Sequence, residues 1–182
     1  MSAARRLALL AGLVLLSAPL LARPSSAADA AKPAPDPAAV ARAIYAKVSA
    51  GDGERGGQFL WVDPKARPRT FSKGLCALWA KADAKQKADH DGLGPIDWDP
   101  FTASQDPKVK GCSVVVERQD AKAATVAVTL VDPRGRRTVV ADETVRLDLV
   151  KEGDRWAVDD VRGTVDGSPW SVRAALKAYL AP

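Results

Sequence analysis

A single histidine, His90, stands in the chain, and its isolation closes off several kinds of chemistry at once. A histidine-rich zinc site or a histidine dyad has no second member, and a Ser-His-Asp triad would have to be built on this one residue. His90 lies between Asp89 and Asp91-Gly92 at an expected helix end, where a cation suits the dipole. Cysteine is nearly as scarce, and Cys76 and Cys112 are too far apart for a Cys-x-x-Cys redox pair. There is no Gly-x-Ser-x-Gly elbow and no phosphate-cradling loop. Gly51-x-Gly53 with Gly56-Gly57 follows an expected helix, not a strand, so it reads as a loop and not as a nucleotide fingerprint. On these absences the chain is expected to carry no catalytic residue, metal site or cofactor.

Apolar runs are short. The longest covers residues 7–22 and is interrupted by Ser17 and Pro19. A spanning helix wants about 20 apolar residues without a central proline. Arg5 and Arg6 precede the run, and Arg23-Pro24-Ser25-Ser26-Ala27-Ala28 follows it, with Ser25-x-Ala27 fitting a signal peptidase site. Residues 1–27 are therefore expected to be a cleaved signal peptide, giving a periplasmic protein with no stable membrane anchor. Cleavage removes Arg5, Arg6 and Arg23 and no acid, which lowers the formal net charge from +5 to +2. So small a charge supplies no clustered basic face for nucleic acid.

Residues 28–36 form a Pro/Ala-rich tether, and Pro33, Pro35 and Pro37 keep it extended. Residues 37–182 suit a single domain. Val40, Ile44 and Val48, with Tyr45, recur on one helix face after the Asp36-Pro37 start. A second helix is expected over 70–88, with Phe71, Leu75, Leu78, Trp79 and Ala82 as its apolar stripe and lysines on its wet side.

Then the period changes to two. Strands are expected over 113–118, 124–131, 138–150 and 156–161, with turns at Asp132-Pro133-Arg134-Gly135 and Glu152-Gly153-Asp154. Ser168-Pro169 reads as the start of a closing helix that runs to Leu180. The sum is an α+β domain: an antiparallel sheet of about four strands with N-terminal helices and a C-terminal helix on one face. In an oxidising compartment Cys76 and Cys112 are expected to form a disulfide closing a loop of about 36 residues, the alternative being two buried reduced thiols.

Between the second helix and the first strand lies a long irregular segment, 89–110, that holds its own apolar side chains. Loops of that length are often functional. Asp97, Asp99 and Asp106 sit close together in it, flanked by Trp98 and Phe101 and followed by Gln105. An EF-hand starting at Asp97 fails, because its sixth and twelfth positions hold Thr102 and Lys108 instead of glycine and glutamate. The remaining readings are a ligand edge and a set of turn caps, since Asp99 and Asp106 each precede a proline.

The run Gly94-Pro95-Ile96-Asp97-Trp98-Asp99-Pro100-Phe101 with Gln105-Asp106, then Trp156-Ala157-Val158-Asp159-Asp160-Val161 and Ser171-Val172-Arg173, resembles the domain-of-unknown-function family 3828. The resemblance covers residues 37–180. It implies an exported envelope protein with the cone-like fold of nuclear transport factor 2, a curved sheet wrapped by helices. Some members are lipoproteins, but the cysteine that would carry the lipid is absent from this sequence. In a cone, Trp98 and Phe101 would plug the open end.

Asp159 and Asp160 are expected to alternate in facing, so that one points to the concave side. A carboxylate there, with Tyr45 at the mouth, is either a general base of the kind used by ketosteroid isomerases or a buried acid bonded to loop amides. Three functions follow as expectations. The first is a non-enzymatic envelope module that binds another envelope protein or cell-wall material through Asp97, Trp98, Asp99, Gln105, Asp106 and Asp159. The second is a small-ligand or enzymatic cone, and the third an inhibitor of a secreted toxin or wall hydrolase.

Overall fold

Alternation of apolar and polar residues builds the sheet. In the computed structural model, which describes residues 36–50, 56–89, 94–105, 109–131 and 144–182, five antiparallel strands lie in sequence order. They are β1 (Gly111–Gln119), β2 (Ala123–Val131), β3 (Thr144–Glu152), β4 (Arg155–Val165) and β5 (Ser168–Ser171). The register aligns Val116, Val126, Leu147 and Val161 in one row and Val114, Val128 and Val145 in the next. These rows form the apolar face. Asp120 accepts from the backbone N–H groups of Lys122 and Ala123 and tightens the β1–β2 turn. Asp166 and Gly167, both at positive φ, make the two-residue turn into β5.

The helices precede and follow the sheet: α1 (Pro37–Ala50), the short α2 (Gln58–Trp61), a 3-10 turn (Arg67–Arg69), α3 (Lys73–Ala88) and α4 (Val172–Leu180). Asp36 accepts from Ala38 N–H at 2.9 Å and opens α1 as expected. Ser72 caps α3 through Leu75 N–H, two residues after the expected start.

Tyr45, Val48, Leu75, Trp79, Val172 and Leu176 from the helices join the apolar face of the sheet in one buried cluster. Each large side chain fully removed from water contributes about 1.5–3 kcal/mol. Arg67 is buried beside this cluster. It donates to Trp61 O and to both oxygens of Asp83, and its guanidinium lies 4.4 Å from the ring centre of Trp79.

Three expectations need correction. Among the described residues there are five strands, because Ser168-Pro169 does not open the last helix; it belongs to β5, and Ser171 caps α4 by accepting from Ala174 N–H. Asp159 and Asp160 do not simply alternate. The β3–β4 register shifts there, so that Asp148 faces Asp160 while Leu149 faces Val158, and Asp159 is the extra residue of a bulge.

The third concerns Cys76 and Cys112, which are free thiols. Cys76 lies in the first turn of α3, beside the Glu152–Arg155 end of the β3–β4 hairpin, where Lys73 N–H donates to Glu152. Cys112 pairs with Leu130 on edge strand β1, at the end of the sheet where β3 begins. Strands are spaced by roughly 4.8 Å, and a disulfide tolerates Cα atoms up to about 7 Å apart. The topology sets the two thiols at opposite corners.

The expected signal peptide at residues 1–27, most of the tether, His90, Asp106 and the turn at 132–135 lie outside the described residues. Among the described residues no helix is long and apolar enough to cross a membrane.

Candidate functional site

Asp99 organises the segment 94–105. The residue is only 3% exposed, and its carboxylate accepts from four donors: Gly57 N–H at 2.8 Å, the Thr102 hydroxyl at 2.7 Å, Phe101 N–H at 3.3 Å and the Trp61 indole at 3.3 Å. Its backbone pairs with Ser104 across the loop. Burial lifts the Asp99 carboxyl above its ordinary value, and the four hydrogen bonds pull it part of the way back. The local sequence explains the shape. Asp99-Pro100 starts a turn in which the aspartate side chain binds its own following backbone. Gly57 lets the neighbouring chain come close, since a Cβ there would meet Phe101 at 2.5 Å.

Phe101 anchors the loop from below. It is fully buried, stacks on Phe71 at 6.2 Å and meets Tyr45 edge-on at 6.4 Å. The Tyr45 hydroxyl donates to Phe101 O at 2.8 Å. Burial, then the Asp99 charge, then Cys112 hold the Tyr45 phenol well above its usual range. Tyr45 is thus a core residue. No hydrogen bond joins it to Asp159 or Asp160.

With its base fixed, the loop presents its outer side. The Trp98 and Trp170 indoles pack edge to face at 4.5 Å, and the groove beside them, about 460 Å³, is also lined by Ala103, Gln105, Val165 and Pro169. A smaller cleft of about 150 Å³ adjoins it, sharing Trp98 and Gln105 and adding Gln58 and Asp97. Asp97 and Gln105 are exposed and have no hydrogen-bond or ion-pair partner among the described residues. The structure therefore brings Asp97, Trp98, Asp99 and Gln105 together and separates their roles. Asp99 holds the loop, while Trp98 and Gln105 face the groove and Asp97 faces the adjoining cleft.

Asp159 sits elsewhere, at the helix ends. Its carboxylate accepts from the Ser72 hydroxyl at 2.5 Å and from the Arg173 guanidinium, whose Nε also donates to Asp159 O. Asp160 accepts from the Ser171 hydroxyl at 2.6 Å and from Arg173 N–H at 2.9 Å. The bulge thus gives each of the two capping serines its own carboxylate and ties the starts of α3 and α4 to β4. Among the described residues no group of three or more His, Cys, Asp or Glu side chains is arranged to hold a metal.

Sequence reasoning missed Trp170, Val165 and Pro169. Trp170 was hidden in an expected helix, although Asp166-Gly167 is a hairpin signal that would have placed it on a strand.

No family model, curated protein or solved structure matches this chain.

Proposed function

We propose that the chain is a non-enzymatic binding module of the cell envelope, exported to the periplasm by its N-terminal 27 residues and akin to family 3828. The five-stranded sheet would then be the wall of a cone, with Phe101 filling its open end. The observation that carries the proposal is the groove beside Trp98 and Trp170, on a loop whose one buried carboxylate is occupied by donors from the loop itself and from Gly57 and Trp61. A rigid aromatic surface with unpaired polar groups at its edge suits recognition. The helix-end carboxylates Asp159 and Asp160 each bind a serine and an arginine, which supports a structural role for them. The partner class is another envelope protein or cell-wall material.

The test is retention of the full protein on envelope extract, comparing wild type with Trp170→Ala and Gln105→Ala. Retention lost in both variants supports the proposal, and equal retention of all three places the binding surface elsewhere. N-terminal sequencing of the periplasmic protein should begin near Ala28.

A further inference from the structure

We infer that the Trp98–Trp170 groove takes a neutral saccharide, so that the module's ligand is a glycan; this rests on the binding-module reading. Three observations converge on that chemistry. The groove is lined by two indoles and by Ala103, Val165 and Pro169, with Ser104, Gln105 and Ser168 as its polar members and, among the described residues, no lysine or arginine. Its volume of about 460 Å³ is in the range of small-molecule sites, roughly 300–1,000 Å³. The adjoining cleft supplies Gln58, Gln105 and the unpaired Asp97 carboxylate.

A carboxylate only accepts hydrogen bonds, while a carboxamide both donates and accepts. The ligand must therefore offer donors to Asp97, both donors and acceptors to the glutamines, and an apolar patch to the indoles. A pyranose ring does all three: its axial C–H groups form an apolar face, and its equatorial hydroxyls donate and accept around the rim. A purely apolar side chain would strip water from Asp97 and the glutamines without replacing the hydrogen bonds, at a cost of about 1–3 kcal/mol for each group left unmade. A cationic peptide would satisfy Asp97, but its remaining charges would find no counterpart among the described residues of the groove walls.

The loop geometry suits such a ligand. Trp98 is gripped between the Asp99 turn and Trp170, and Trp170 sits on a four-residue strand that begins from a tight turn. The platform is therefore set before the ligand arrives, which limits the ordering needed on binding.

The test titrates the full protein with chitotetraose and cellotetraose as neutral probes and with a leucine-lysine peptide as the cationic one, following indole fluorescence at low and high salt. The expected result is saturable binding of at least one tetrasaccharide, unchanged by salt, and weakened about tenfold, or ~1.4 kcal/mol, by Trp98→Ala and by Gln105→Ala. Gln105 is exposed and unpaired, so its variant keeps the fold even if Trp98→Ala does not. The inference is overturned if neither saccharide binds, if both variants bind as the wild type does, or if the peptide binds better with strong salt dependence. Retention on envelope extract is measured alongside. Retention of the wild type without saccharide binding sinks the glycan and leaves the module standing, whereas a wild type that is not retained at all sinks the module itself.

Discussion

The Trp98 indole meets the Trp170 indole edge to face, with ring centroids 4.5 Å apart and planes at 74°. One comes from an irregular loop and the other from the last strand, so the contact joins the loop to the sheet edge. Both are only partly buried, and each keeps surface for a ligand.

Trp98 should anchor and Asp97 should not. Trp98→Ala removes the edge-to-face contact and a partly buried ring, and is expected to lower stability by about 2–3 kcal/mol, or several degrees in Tm. Asp97→Asn changes an exposed side chain with no partner and should stay within about 0.5 kcal/mol of wild type. Thermal unfolding of the two variants checks both. Equal destabilisation would make the whole segment structural.

Asp99 should respond to pH. Burial lifts its carboxyl, so the folded protein binds that proton more readily than the unfolded chain does. Between the ordinary aspartate value and the lifted one, this residue's contribution falls as pH rises, and it is complete below the ordinary value. Asp99→Asn removes that slope and also sets an NH2 group against donors, costing about 1–3 kcal/mol near neutrality. Denaturant unfolding across the acid range measures the slope. A wild-type slope of opposite sign that persists in the variant would reject this assignment.

The sheet was largely legible in the sequence, and its edges were not. Val126, Val128 and Leu130 alternate as a strand must, and the strand they predict is β2. Ser168-Pro169 reads locally as a helix start, yet Asp166-Gly167 turns the chain back onto β4, and pairing with β4 outweighs the local preference. The same limit applies to the site. Asp97, Trp98, Asp99 and Gln105 stand out by composition, but Trp170 meets them only through the fold. The cysteine pair failed for a similar reason, since spacing along the chain says nothing of the three strand spacings between β1 and β4.

Ser72 and Asp159 should be coupled. Ser72→Ala loses the cap of α3 and is expected to cost about 1 kcal/mol. Because Ser72 also donates to Asp159, a double-mutant cycle with Asp159→Ala should give a coupling of roughly 0.5–3 kcal/mol. Strict additivity would deny the shared hydrogen bond.

Both cysteines should titrate as thiols in the denatured, unreduced protein. In the folded protein they should react slowly, since burial raises both thiols above their usual range and lowers the thiolate fraction. A denatured sample without free thiols would contradict a topology that sets the two residues at opposite corners of the sheet.

The most direct test follows the five indole N–H signals, of Trp61, Trp79, Trp98, Trp156 and Trp170, by NMR while the protein is titrated with chitotetraose or solubilised envelope material. The account predicts that the Trp98 and Trp170 signals shift together with the titrant, while those of Trp79 and Trp156, which line neither the groove nor the cleft, hold still. Shifts confined to Trp79 or Trp156 would place the working surface elsewhere and contradict it.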